Sequence, residues 1–210
     1  MIRTWMADIS PLYQEDCYRK YYEQAPDFRK AKADALRFQQ MKAQSIGVWS
    51  LFERIKDEHK VDQDAVYNFS HSGDFVLCSI AFGTDAADVK VGCDIQEVKH
   101  ADIKMAKRFF CPGEYAYITE AADEKVRNER FFRLWVLKES FLKATRMGIR
   151  LGMDTFEILP GTPPVLIRQP EIFPDRFYYM ELQIPGQNYK AAVCSTDAEI
   201  DSRIQMRMEL

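Results

Sequence analysis

Paired cysteine spacing is missing from this chain. Its five cysteines, Cys17, Cys78, Cys93, Cys111 and Cys194, are odd in number and never stand as CxxC. That argues against a disulfide framework, offers no zinc site and fits a reducing compartment. No apolar run approaches the roughly 18 residues of a membrane span. The start of the chain has Asp8 within it and no apolar stretch after it, so it does not read as a signal peptide. A basic excess is also lacking: 29 Lys and Arg against 32 Asp and Glu give a net charge of -3, which speaks against a general nucleic-acid binder. Low-complexity segments are absent. The expectation is a cytoplasmic monomer that binds neither nucleic acid nor membrane.

What is present is an ordinary globular composition, 47% hydrophobic and 29% charged over 210 residues, enough to bury a core without staples. Residues 12–60 read mostly as helix, with Leu36, Ile46, Val48, Leu51, Phe52 and Ile55 near helical spacing and Pro26 marking a start. Arg29, Lys30, Lys32, Arg37 and Lys42 punctuate this stretch and read as a solvated face. Then the period changes. Residues 66–70 and 75–82 read as strands around a turn at His71-Ser72-Gly73-Asp74. A polar connection over 83–88 leads to a third strand over 89–98. Helices follow over 103–110, 114–122 and 129–146, the last with Gly148 as C-cap. The remainder is β-rich, with a hairpin formed by 176–184 and 189–195. Helices then strands, twice over, give an α+β class. The echo of Val76-Leu77-Cys78-Ser79 in Ala192-Val193-Cys194-Ser195 hints at duplication. The expected halves are 1–88 and 89–210.

Two segments carry chemistry. In the strand Val89–Glu97, the residues Lys90, Gly92, Asp94 and Gln96 share one face. A glycine beside Asp94 would leave space for a cation and a polyanion, although a plain solvent face accounts for the same pattern. In the segment Phe131–Lys143, hydrophobic nearly all round, Trp135, Glu139 and Lys143 recur at i, i+4 and i+8. Buried charges need partners. A mutual Glu139–Lys143 pair is one reading; a carboxylate for a divalent metal and a lysine for phosphate is the other. Asp94, Glu139 and Glu114 would make an oxygen-rich site suited to Mg²⁺. The Ser70-His71-Ser72-Gly73 strand end offers a hydroxyl, an imidazole and turn amides for a phosphate.

These segments, taken in order, resemble the signatures of 4'-phosphopantetheinyl transferases of the surfactin-synthetase-activating type. The matching text is Ser70-His71-Ser72-Gly73, then Gly92-Cys93-Asp94-Ile95-Gln96, then Phe110-Cys111-Pro112-Gly113-Glu114, then Trp135-Val136-Leu137-Lys138-Glu139-Ser140-Phe141-Leu142-Lys143. The resemblance implies two similar α+β halves related by a pseudo-two-fold axis, with coenzyme A in the cleft between them. It implies transfer of the phosphopantetheine arm to a carrier-protein serine, with 3',5'-ADP released. By the same resemblance Asp94 and Glu139 match metal ligands. His71 matches the contact to the 3'-phosphate of coenzyme A, with Ser70 beside it. Lys138 and Lys143 match positions near the phosphates, and Glu114 an acid at the reaction centre. Glu139, Lys143 and Glu114 are thus the expected catalytic residues. Where the family has a second strand acid, this chain has Gln96, a neutral third ligand or a group that orients a bound water. Lys32 and Lys42 are the N-terminal candidates for phosphate contact. Lys99, His100, Lys104, Lys107 and Arg108 gather positive charge that suits docking of an acidic acyl or peptidyl carrier. Two other readings stay open: a Mg²⁺-dependent hydrolase of a nucleotide pyrophosphate, and a non-catalytic carrier- or nucleotide-binding module.

Overall fold

The structure, a computed structural model, describes residues 1–62, 64–83 and 88–207, the side chains of Ile149 and Arg207 excepted; residues 84–87 of the expected polar connection lie outside these. In chain order the elements are β1 (Ile2–Asp8), α1 (Glu15–Gln24), α2 (Asp27–Asp34), α3 (Gln39–His59), β2 (Tyr67–Ser72), β3 (Phe75–Ala81), β4 (Val91–Glu97), α4 (Ile103–Phe109), α5 (Pro112–Thr119), α6 (Glu124–Ala144), β5 (Glu157–Leu159), β6 (Val165–Arg168), β7 (Tyr178–Leu182), β8 (Tyr189–Ser195) and β9 (Ile200–Arg207).

Helix α3 buries Ala43, Ile46, Leu51 and Ile55, residues near enough to helical spacing to share a face. It closes where Lys60 turns left-handed, at φ 50°, and donates its N–H to Lys56 O. Pro26 caps the start of α2, as its sequence position suggests. Helix α6 begins five residues earlier than expected, because Asp123 accepts from the Val126 N–H at 2.8 Å and so caps a polar first turn. It also ends earlier than expected. Arg146, at φ 56°, takes the left-handed position, and Gly148 belongs to the short 3₁₀ turn that follows.

The strands form a four-stranded sheet in the order β2-β3-β1-β9, a three-stranded sheet in the order β4-β8-β7, and the small pair β5-β6. β1 escapes a period-two reading because both its faces are covered: Trp5 and Met6 are each fully buried. β9 runs parallel to β1, so the last strand of the segment 89–210 lies in the first sheet. The same order of strand, 21-residue helix and hairpin occurs in β1-α3-β2-β3 and in β4-α6-β7-β8. In each set the third strand sits between the other two, and the echoed Val76–Ser79 and Ala192–Ser195 lie on those central strands.

Three core clusters stack these parts into four layers. Trp5, Ala7, Val76, Cys78 and Ile80 pack under α3 with Ile46, Leu51 and Ile55. Ile2, Met6 and Leu77 from the first sheet meet Val91, Cys93, Ile95 and Val193 from the second. Ala192 and Cys194, on the far face of the second sheet, pack with Leu134, Leu137 and Phe141 of α6. The order is helix, sheet, sheet, helix. Gly92 has a different role from the one its sequence suggests. A Cβ there would run into the Ser140 carbonyl and the Ala144 backbone of α6; the missing side chain lets helix and strand touch, and leaves no open space beside Asp94.

Among the described residues the two larger sheets share no backbone ladder. They meet along a seam of side chains. Asn68 Oδ1 accepts from the Cys93 N–H at 3.0 Å, Ser70 Oγ from the Ile95 N–H at 3.2 Å and Ser72 Oγ from the Glu97 N–H at 3.0 Å. Alternate residues of β2 thereby satisfy alternate amides on the unpaired edge of β4, groups that would be costly to leave buried without a partner.

Candidate functional site

At this seam β2, β4 and α6 bring polar groups together. Asp94, on β4, is 2% exposed. Its Oδ1 accepts from Ser70 Oγ at 2.7 Å and from Lys143 Nζ at 2.7 Å, while its Oδ2 accepts from Gln96 Nε2 at 3.1 Å. Lys143 reaches across from α6 and also donates to Cys93 O at 2.9 Å and Phe69 O at 3.4 Å. It thus ties carbonyls of both strands together. Burial, the strongest single influence, works against its charge, but the Asp94 carboxylate, with lesser contributions from Cys93 and Glu139, outweighs it and holds the ammonium's pKa up.

Glu139, one turn before Lys143, is half-buried and has no hydrogen-bond or ion-pair partner among the described residues. The mutual pair with Lys143, one of the two readings of the sequence, therefore does not form; Lys143 turns to Asp94. Burial, then the neighbouring Asp94 charge, raises the pKa of Glu139, and Lys143 offsets only part of this. Two carboxylates with one ammonium leave an excess of negative charge in a partly desolvated place. Such hard oxygen donors suit Mg²⁺. Among the described residues no three His, Cys, Asp or Glu side chains lie close enough to hold a metal alone, so oxygens of a bound substrate would have to complete the shell. Gln96 presents an amide N–H to Asp94, which leaves its oxygen as the end available to other partners.

His71 is exposed at the rim of this cluster. Loss of hydration to the surrounding protein, with the charges of Lys143 and Lys32, lowers its pKa, against the pull of Asp94. An imidazole beside two cations is poised to gain a proton when an anion arrives. Lys32, exposed on α2, is therefore within electrostatic reach of His71. Lys42 is half-buried in the first turn of α3, and no hydrogen bond or ion pair joins it to the cluster among the described residues. The turn after Ser72 is tighter than its composition suggests: β2 runs through His71 and Ser72, and only Gly73 and Asp74 turn. Gly73 has φ 54°, and a Cβ on it would strike the Tyr189 hydroxyl. Tyr13 OH donates to Asp74 Oδ1 at 2.7 Å and Gln44 Nε2 to Gly73 O at 3.0 Å, tying the turn to α3 and the segment before α1.

Two expected site residues lie elsewhere. Lys138 is fully buried and pairs with Glu114, 1% exposed, at 2.7 Å. Its other donors go to Met153 O at 2.9 Å and Phe156 O at 2.8 Å, so all three N–H groups are used and none is left for a phosphate. Glu114 takes the Cys111 N–H at 2.8 Å and the Ile158 N–H at 2.9 Å as well. The reason is helical geometry: five residues separate Lys138 from Lys143, which sends them to different sides of α6. Lys138 and Glu114 clamp α5, α6 and the segment before β5 within the core.

Sequence reasoning also missed Asn68 and Ser72, whose polar alternation with Ser70 in a β-prone run was the available signal. Arg29 is not part of a solvated face; it is 8% exposed and lies over the Trp49 ring at 4.7 Å. Among the expected docking residues, Lys99 pairs with Glu97 at 2.7 Å and His100 with Glu124 at 2.9 Å. Lys104, Lys107 and Arg108 are exposed on α4 without an ion-pair partner among the described residues. A cavity of about 560 Å³ beside β6 and β7 is lined by none of the cluster residues. No helix among the described residues is long and apolar enough to cross a membrane.

Residues 90–194 match the family model described as the 4'-phosphopantetheinyl transferase superfamily. The chain is 32% identical over 209 residues to the 4'-phosphopantetheinyl transferase Sfp of Bacillus subtilis (strain 168), covering 96% of this chain and 88% of that protein. It is 34% identical over 136 residues to the 4'-phosphopantetheinyl transferase gsp of Aneurinibacillus migulanus, covering 64% and 53%. Among solved structures, holo-[acyl-carrier-protein] synthase of Thermotoga maritima aligns over 50% of this chain and 61% of that one, at 23% identity and a TM-score of 0.42.

Proposed function

The chain belongs to the 4'-phosphopantetheinyl transferase superfamily, and on that premise we propose that it transfers the 4'-phosphopantetheine group of coenzyme A to a serine hydroxyl of an acidic apo carrier protein, with Mg²⁺ as cofactor. The observation that carries this reading is the convergence of Asp94, Glu139 and Lys143 with His71 where the two sheets meet. In the reaction the serine oxygen forms a bond to the phosphorus that bears the pantetheine arm. The bond from that phosphorus to the leaving phosphate breaks, 3',5'-ADP departs, and the hydroxyl proton is released. Bound Mg²⁺ would neutralise charge on the pyrophosphate; Asp94 and Glu139 are the residues to hold it, with Gln96 beside them.

The chain's own residues supply position and charge, which dominate phosphoryl chemistry. Lys143 is kept protonated by Asp94, and its longest bond, to Phe69 O, is the one most readily exchanged for a phosphate oxygen. His71, within electrostatic reach of Lys32, suits the dianionic 3'-phosphate, and Lys42 in the first turn of α3 is the further N-terminal candidate for a phosphate contact. Ser70 orients Asp94. Lys104, Lys107 and Arg108 on α4, without an ion-pair partner among the described residues, offer positive charge that would steer an acidic carrier toward the site.

The direct test is the intact mass of an apo carrier protein after incubation with this protein, coenzyme A and Mg²⁺. A gain of one phosphopantetheine group, dependent on Mg²⁺, is the expected result. Release of 3',5'-ADP with no gain on the carrier would make the protein a coenzyme A hydrolase. No reaction, with coenzyme A bound, would make it a binding module.

A further inference from the structure

His71 and Asp94 belong to different sheets, yet in the transfer reading both address one coenzyme A molecule. Their spacing is set by the seam. Its three rungs, Asn68 to Cys93, Ser70 to Ile95 and Ser72 to Glu97, each join residues 25 apart in sequence, so β2 and β4 run alongside each other in one constant register. The middle rung is shared with chemistry, because Ser70 also donates to Asp94. The outer rungs are not: Asn68 and Ser72 make no hydrogen bond to Asp94, Glu139, Lys143 or His71 among the described residues.

Strand geometry makes register matter here. Successive side chains point to opposite faces, so the residues that hold β4 alternate with Phe69 and His71. A slip of one residue would turn every rung away from β4. A slip of two would bring the hydroxyl of Ser72, or in the other direction the amide of Asn68, to the place of Ser70 and carry His71 along the strand by about 7 Å. An ordinary ladder would resist such slips with backbone bonds. In this seam the direct hydrogen bonds from β2 to β4 come from side chains that a point substitution can remove, leaving only the apolar packing between the sheets and Lys143 to hold the offset.

We propose that Asn68 and Ser72 are positioning residues for the transfer reaction: as the outer rungs of the seam they fix the offset between His71 on β2 and the carboxylates on β4 and α6. This rests on the transfer reading above. Neither residue needs to touch substrate. Each acts through the strand it holds.

The experiment measures kcat and KM for coenzyme A and for 3'-dephospho-coenzyme A, together with the thermal midpoint, for Asn68→Ala, Ser72→Ala, the double variant, Asn68→Asp and Ser72→Thr. Assays run well below the lowest midpoint. A misplacement of reacting groups by about 1 Å can cost on the order of 100-fold in rate. Each alanine variant is expected to lose on the order of 10-fold in kcat, and the double variant more. Preference for coenzyme A over its 3'-dephospho form should fall toward unity in the same variants, since His71 no longer lies one fixed offset from Asp94. Asn68→Asp and Ser72→Thr keep an acceptor oxygen and should retain most of the wild-type rate. A fall in midpoint with kcat and ligand preference unchanged would make the seam structural only and overturn the proposal, as would acceptor-keeping variants no better than alanine. If the double variant does not fold, the single variants carry the same two outcomes. Absence of transfer by the wild-type protein is a separate result: it would sink the functional reading, and this proposal with it.

Discussion

Helix α6 carries two lysines that the pattern of residues cannot tell apart. Lys138 and Lys143 are five residues apart, and each lies 2.7 Å from a carboxylate. Lys138 sits in the core with its side chain fully covered, all its donors satisfied, and its pKa pulled down by burial despite Glu114. Lys143 keeps 25% of its side chain exposed, spans two strands from different sheets, and has its pKa held up by Asp94 against burial. The same residue type is thus a clamp within the core at one position and a partly accessible ammonium at the seam at the other. What separates them is access and the partner left to satisfy, not charge.

The largest effects should come from breaking each pair in turn. Lys138→Ala or Glu114→Ala leaves a fully buried charge alone, and removal of one partner of such a pair costs about 3–5 kcal/mol. Chemical denaturation should show that loss, with transfer lost only through unfolding. Lys143→Ala and Asp94→Ala are expected to lower the transfer rate by at least on the order of 100-fold, with a circular-dichroism spectrum like that of the wild type. A folded, active Lys138→Ala protein would erase the distinction.

Glu139 sharpens it further. Because its pKa is raised, the folded chain binds a proton there more readily than the unfolded chain does. Its contribution to stability therefore declines as pH rises from the ordinary carboxylate range through the raised value. At neutral pH, Glu139→Gln should melt about 1–3 °C higher than wild type, while transfer is abolished. A lower melting point would mean that Glu139 makes stabilising contacts in the folded chain.

His71 comes next in size. Loss of a charged hydrogen bond is worth about 1.5–3 kcal/mol, and His71→Ala should weaken coenzyme A binding by that much while 3'-dephospho-coenzyme A binding barely changes. Since protein surroundings hold its pKa below the ordinary value, binding of the 3'-phosphate should be accompanied by proton uptake, read as a buffer-dependent calorimetric heat. Equal losses for both ligands would reduce His71 to a strand residue.

Gln96 and the α4 lysines should show the smallest changes. Gln96→Ala is expected to cost much less transfer activity than Asp94→Ala. Gln96→Glu should stay active and lower the Mg²⁺ concentration for half-maximal rate, because a second strand carboxylate attracts the cation more. An unchanged Mg²⁺ titration would place that side chain outside the metal's reach. Lys104→Glu with Lys107→Glu should raise the carrier KM and leave coenzyme A binding near wild type; an unchanged carrier KM would reject α4 as the docking face.

Much of the candidate site was legible as text. Asp94, Glu139, Lys143, Ser70 and His71 stand in ordered segments, and the structure brings all five to one place. Lys138 and Glu114 were misplaced because spacing gives the direction of a side chain on its helix but not what lies in that direction. Gly92 was read as a gap because a sequence does not show that α6 packs against it. The start of α6 was set too late because its first turn is polar, and only the Asp123 cap declares it.

The sequence by itself determined the α+β class, the long helices, the β2–β3 and β7–β8 hairpins, and the residue types of the cluster. Local spacing and composition decide these, and they act over a few residues. Only the tertiary structure decided that β9 returns to lie beside β1, that β2 meets β4 through side chains rather than a ladder, and which lysine of α6 faces the seam. Those outcomes depend on what covers each face and edge once distant segments have packed together. Burial and unsatisfied hydrogen-bonding groups exert their cost only then.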